Sequence, residues 1–158
     1  EGTEISHVLR SIKFMTLDGE VKTYSKSEMV FAYRKTTFPS KGGIVIEAEL
    51  DLEKGNITDI HREMDKYLSR RSSTQPLTMP NSGSIFKNPA GEKAGRLIES
   101  VGLKGFRIGG AGVSIKHANF IVNKGGASAE DVIRLIKHIQ TVVEKKSGIK
   151  LEQEIVII

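Results

Sequence analysis

Apolar and polar positions alternate through HVLRSIKFMTLDGEVKTYS, residues 7–25, around the dipeptide Asp18-Gly19. A period of two predicts paired strands, and Asp-Gly between them favours a tight hairpin turn. The alternation resumes after Gly42-Gly43 in IVIEAELDLEKG, with Ile44, Ile46, Ala48 and Leu50 between Val45, Glu47, Glu49 and Asp51. A half-buried strand is expected there, closed by Lys54-Gly55. The period then changes. Ile60, Met64 and Leu68 recur four apart, which predicts a helix from about Thr58 to Arg71. RSSTQPLTMPNSGS, rich in Ser, Thr and Pro, reads as a linker or loop.

The second half predicts strand, helix, loop, strand, helix, strand. GSIFKNP is a short apolar strand ended by Pro89, and Ala94 to Val101 suits a short helix that Gly102 terminates. FRIGGAGVS, with three glycines, reads as a loop, and NFIVN as a buried strand. The clearest helix starts at Ser128, where Asp131 completes a capping-box pattern. Val132, Leu135, Ile136, Ile139, Val142 and Val143 form its apolar stripe, and Gly148 stops it. The tail EIVII is expected to be a strand. Elements that do not alternate strictly point to an α+β fold. No internal repeat is visible.

Composition narrows the function classes. The chain has 158 residues, 38% apolar and 27% charged, which fits a globular protein rather than a disordered one. No apolar run approaches the ~18 residues of a membrane span. The absence of cysteine excludes a disulfide scaffold, a thiolate metal site and a cysteine nucleophile. No basic-then-apolar leader opens the chain, so a cytoplasmic address is the default expectation. Charge is uneven: residues 1–72 balance at zero, whereas residues 73–158 carry twelve Lys/Arg against seven Asp/Glu. That half is biased toward anionic ligands. The lysines form no dense run and have few aromatics beside them, so a small phosphorylated ligand fits better than nucleic acid.

Candidate chemistry is sparse. His7, His61, His117 and His138 show no metal-ligand spacing, so a zinc site is not expected, and His138 reads as a surface or boundary residue. FRIGGAGVS either cradles an oxyanion on bare amides or forms a turn needing positive φ. The spacing of the dinucleotide fingerprint is missing from it. Three polar residues stand in apolar surroundings: Ser84 beside Ile85-Phe86, Glu154 before four apolar residues, and Arg34 after Phe31 and Tyr33. A hydroxyl, an acid and a guanidinium together suit the handling of a carboxylate.

PNSGSIFKNP, AGRLIESVGLKGFRIGGAGVSIKHANFIVN and the final GIKLEQEIVII resemble the C-terminal part of the UDP-N-acetylenolpyruvoylglucosamine reductase family. EMVFAYRKTTF resembles the part of its flavin domain that bears a substrate-binding arginine, so the resemblance covers essentially the whole chain in order. It implies residues 1–72 as the tail of a p-cresol methylhydroxylase-type FAD-binding domain and residues 73–158 as an α+β substrate-binding domain. It implies a flavin enzyme of peptidoglycan synthesis that uses NADPH to reduce FAD. The reduced flavin then passes a hydride to the enolpyruvyl ether of a UDP-sugar. The family's glycine-rich FAD loops have no counterpart here, so FAD is expected to be bound mainly by a region absent from this chain. The isolated chain is then expected to be inactive.

The same resemblance gives roles. Arg34 matches the arginine that holds the substrate carboxylate, Glu154 the catalytic glutamate, and Ser84 the serine that donates a proton. Tyr33, Asn88 and His117 match substrate-binding positions. Val156 stands where relatives usually have an arginine, and no tyrosine-bearing loop lies between Val101 and Phe120, which implies the shorter subtype. The alternative class is a non-catalytic UDP-sugar or anion-binding module.

Overall fold

The Asp18-Gly19 turn forms with Gly19 at φ +86°, and the Thr16 amide donates to the Glu20 carbonyl at 2.8 Å. The computed structural model describes residues 4–39 and 42–157. They divide into two units, one up to Ile57 and one from Thr58.

The first unit begins with α1 (Ile5–Val8), β1 (Leu9–Thr16) and β2 (Val21–Ser25). A small hairpin follows, β3 (Val30–Ala32) and β4 (Lys35–Thr37), and then β5 (Gly43–Leu50). The antiparallel sheet runs β2-β1-β5, with β3 and β4 as a separate pair. Leu9, Ile12, Phe14, Tyr24 and Met29 form a small core, with Phe31 and Phe38 packed against it. Phe14 meets Phe38 at 5.1 Å between ring centroids. The expected half-burial of β5 is not observed, because every residue of that strand is exposed. The core collects over β1 and β2, where Met29, Phe31 and Phe38 return, while β5 lies at the sheet edge. Ion pairs such as Lys13–Glu47 at 2.9 Å decorate β5, and exposed pairs of this kind contribute only about 0–1 kcal/mol.

The second unit contains nearly all of α2 (Ile57–Thr74), then β6 (Asn81–Ser84), α3 (Ala94–Ser100), β7 (Arg107–Ile108), β8 (Ala111–Val113), β9 (Phe120–Asn123) and α4 (Ala129–Ser147). The predicted helix after Thr58 is thus longer than expected. It absorbs the start of the Ser/Thr-rich stretch, where the Ser73 and Thr74 hydroxyls bond back to the Arg70 carbonyl. Residue 72 lies inside α2. The second sheet is antiparallel in the order β6-β9-β8-β7. Ala111, Val113 and Ile121 join Leu97 and Ile98 of α3 and Leu135, Ile136, Ile139 and Val143 of α4 in one core. The Ser128–Asp131 capping box is present, and Gly148 ends α4 at φ +71°.

Two further expectations change. FRIGGAGVS is no open loop; it is the β7–β8 hairpin, turned at Gly109-Gly110 with Gly109 at φ +55°. The tail is not a strand. Gln153 bridges Phe86, the Lys87 amide donates to Glu152 at 2.9 Å, and the Glu154 amide donates to Ile85 at 2.8 Å. Beyond that the partner segment reaches Gly83 at φ +80°, inside an irregular register, and cannot continue a ladder. Val156 is 85% exposed, and Ile158 lies outside the described residues. Among the described residues no helix is long and apolar enough to cross a membrane.

Candidate functional site

The segment from Ser84 to Asn88 is held from both sides. On one side the Ile85 amide donates to the Asn119 carbonyl at 2.9 Å. The Asn119 side chain, 4% exposed, closes on Phe86: its Oδ1 accepts from the Phe86 amide at 3.0 Å and its Nδ2 donates to the Phe86 carbonyl at 2.8 Å. On the other side lie Glu152 to Glu154. Ser84 and Glu154 therefore sit on directly bonded segments, with Glu154 half-buried. Sequence reading missed Asn119, because its partners lie 33 residues away.

Asn88 serves α3. Its Oδ1 accepts from the Ala94 amide at 3.1 Å, where a helix leaves donors unsatisfied. His117 accepts the Asn119 amide on Nδ1 at 3.2 Å and lies edge-on to Phe120 at 4.9 Å. Burial holds its imidazole below the ordinary value. The ring is therefore neutral at pH 7 and carries its proton on Nε2. Nitrogen NMR is expected to show this tautomer at pH 7, with a titration midpoint lower than that of a free imidazole; a charged ring at pH 7 would refute the burial account.

Cross-strand partners share a sheet face. Ser84 pairs with Phe120, and Val122 pairs with both Asn81 and Gly112, so all five residues face away from α3 and α4. Ser84 thus lies on the sheet face opposite α3 and α4, where Phe120 and Val122 are buried. Its hydroxyl has no hydrogen-bond partner among the described residues. Val122 also lines a cavity of about 360 Å³, together with Pro76, Met79 and Ile115. Thr78 and Ser114 line it too, and Lys116 and Lys124 stand at its rim.

Arg34 and Tyr33 belong to the first unit, at the two-residue turn of the β3–β4 hairpin. Arg34 is the non-glycine with positive φ among the described residues, at +56°, and its guanidinium lies 5.8 Å from the Tyr33 ring centroid. A positive φ is common in the tight turn of a two-residue hairpin. His138 stacks on Phe106 at 4.5 Å, a boundary position as expected. Among the described residues no His, Asp or Glu cluster could hold a metal.

The family model described as "UDP-N-acetylenolpyruvoylglucosamine reductase, C-terminal domain" matches residues 75–158, more than half of the chain. The chain belongs to this family. It is 46% identical over 157 residues to UDP-N-acetylenolpyruvoylglucosamine reductase 2 of Bacillus cereus, covering 99% of the chain and 52% of that relative. It is 47% identical to the reductase of Oceanobacillus iheyensis, covering 99% and 51%. The solved UDP-N-acetylenolpyruvylglucosamine reductase of Thermus caldophilus superposes with a TM-score of 0.80 at 37% identity, covering 94% of this chain and 52% of that one. The chain spans about half the length of the curated relatives it matches.

The reductase family implies a flavin, and two of the chain's three glycine pairs do not fit its pyrophosphate. The Gly109-Gly110 turn is filled by Asp131: a Cβ on Gly109 would stand 2.3 Å from Oδ2, which also takes the Gly110 amide at 3.1 Å. That amide and the Ser128 amide hold the Asp131 carboxyl below its ordinary value. At Gly43 a Cβ would stand 2.3 Å from the Met15 carbonyl and 2.5 Å from the Phe14 ring. Neither of these two pairs leaves room for a phosphate oxygen, whereas a Cβ on Gly125 or Gly126 would meet nothing within 4 Å.

Proposed function

We propose that the chain supplies the substrate side of a reductase that converts UDP-N-acetylglucosamine enolpyruvate to UDP-N-acetylmuramate for peptidoglycan synthesis in the cytoplasm, with NADPH and FAD. The observation that carries this reading is the identity of nearly half across essentially the whole chain to named reductases. In it, residues 1–72 are the tail of the FAD-binding domain and residues 73–158 the substrate-binding domain. The hydride comes from a group held outside the described residues.

The roles assigned to this chain's residues come from the resemblance, and their chemistry suits them. Arg34 presents a planar fork suited to a carboxylate. Glu154, half-buried beside the Ile85 carbonyl, stabilises charge that builds up on the reacting enolpyruvyl group. Ser84 gives its proton to the carbon that bears the carboxylate, and solvent returns one to the alkoxide. A serine hydroxyl is a weak acid, so the accepting carbon must be strongly basic and close. The resemblance assigns Tyr33, Asn88 and His117 to substrate binding.

The test is NADPH oxidation by the whole gene product, measured with and without the enolpyruvyl UDP-sugar. Substrate-dependent oxidation is expected, and its absence would overturn the reading. Ser84→Ala is expected to lower kcat by about 10³-fold with little change in substrate affinity, the usual size for a positioned proton donor. Turnover equal to wild type would remove Ser84 from that role.

A further inference from the structure

Glu154 stands on a segment with no element of its own. Among the described residues, the chain after Gly148 forms neither helix nor strand, apart from the bridge of Gln153 to Phe86. The place of Glu154 is therefore set by whatever holds the residues just before it. Leu151 is 1% exposed and seats its side chain in the core. Its carbonyl accepts the Gln140 side-chain amide at 2.9 Å, and the Glu152 carbonyl accepts the Lys87 amide at 2.9 Å. The tail is thus gripped by α4 through Leu151 and by the Ser84–Asn88 segment through Glu152.

Two side-chain grips act beside the backbone bonds. The Lys87–Glu152 ion pair is largely open to water, with the Glu152 side chain 73% exposed, so it adds little. Gln140 is different. It is half-buried on α4, beside Ile139 and about one turn from Ile136 and Val143, which are all buried. The helix itself is capped at both ends. A side chain on a packed and capped helix is a firm reference point for a segment that has no ladder. Beside the bond lies a cavity of about 480 Å³ lined by Gln140, Lys150, Leu151, Glu152 and Gln153. The tail has room to shift there once the amide lets go, and water can then take the Leu151 carbonyl. Losing the bond therefore moves the tail more than it weakens the fold.

We propose that Gln140 is a positioning residue for Glu154. It acts through the main chain: by holding the Leu151 carbonyl it fixes residues 151–154, so that the Glu154 amide meets the Ile85 carbonyl at 2.8 Å. Ser84 precedes Ile85, and the acid assigned to the reacting group is thereby kept in register with the hydroxyl assigned to proton donation. Asn119 grips the Ser84 side of this junction, and Gln140 grips the Glu154 side. The effect on turnover rests on the reductase reading; the hold on the tail rests on the geometry alone.

Gln140→Met keeps the length of the side chain and loses the donor. Hydrogen exchange on the chain should show the Glu154 and Lys87 amides exchanging about tenfold faster in this variant. The Phe86 amide, held by Asn119, should keep its rate, and the urea midpoint should stay close to wild type. Gln140→Ala, which removes the side chain altogether, should show the same pattern. In the whole gene product, Gln140→Met should lower kcat with the enolpyruvyl UDP-sugar about tenfold and leave the KM for NADPH unchanged. In a Glu154→Gln background, followed by single turnover, it should change the rate by less than about twofold, because its effect passes through that carboxylate. Unchanged exchange at Glu154 in both variants would overturn the proposal. So would an equal fall in rate in the two backgrounds, which is what a merely structural role produces. A wild-type product without substrate-dependent NADPH oxidation would sink the reductase reading instead, and the exchange at Glu154 would still decide whether Gln140 holds the tail.

Discussion

Asn119→Ala is expected to destabilise the second unit by about 2–4 kcal/mol, because it leaves both the amide and the carbonyl of Phe86 without partners in a buried place. The side chain bonds these two groups at 3.0 and 2.8 Å, and Phe86 is 1% exposed, so water cannot replace the lost bonds. Asn119→Asp separates the two halves of the effect. It keeps an acceptor for the Phe86 amide but sets a carboxylate oxygen against the Phe86 carbonyl, and it should cost at least as much as alanine. Urea unfolding at pH 7 measures both. A loss below about 1 kcal/mol in Asn119→Ala would mean that the Ser84–Asn88 segment is fixed by its other bonds. The functional consequence follows from position. Ser84 lies two residues before Phe86 and Glu154 bonds to Ile85 between them, so a loosened Phe86 displaces both proposed catalytic groups at once.

What the sequence reveals depends on how local the cause is. The α4 helix is legible to the residue, since the Ser128–Asp131 box, the apolar stripe and Gly148 all act within a few positions of one another. The burial of β5 is not legible: alternation says that a strand has an apolar side, and says nothing of what covers it. FRIGGAGVS looks like a loop because glycine is a poor strand residue. Yet Gly109 supplies the turn and Gly112 the space for two long side chains, so the glycines build a hairpin rather than interrupt one. The tail EIVII looks like a strand, yet pairing stops near Gly83, whose positive φ and Asn81-bound amide do not suit a ladder. The site divides in the same way. Ser84, Glu154 and Arg34 stand out as polar residues among apolar neighbours. Asn119 looks ordinary until the sheet sets it beside Phe86, 33 residues away in the chain.

Gly110→Ala is expected to cost about 3 kcal/mol or more, the upper range for overpacking, because the new methyl would meet backbone. Its Cβ would stand 2.4 Å from the Ala127 amide nitrogen, 2.5 Å from the Ala127 Cα and 2.7 Å from the Gly125 carbonyl. Relief requires the β7–β8 turn to separate from the segment that enters α4. That movement breaks the Gly110–Asp131 bond at 3.1 Å and the Lys124 amide bond to the Gly110 carbonyl at 2.9 Å. Gly109→Ala makes a sharp comparison. Its methyl would meet the Asp131 carboxylate, a side chain that can rotate away, at a left-handed φ that costs a non-glycine residue about 1–2 kcal/mol. Urea midpoints at constant slope should therefore rank Gly110→Ala as the more damaging change. Adding Asp131→Ala should recover part of the loss in Gly109→Ala and none of it in Gly110→Ala. Recovery in the second background would show that the obstacle at residue 110 is the carboxylate and not the main chain.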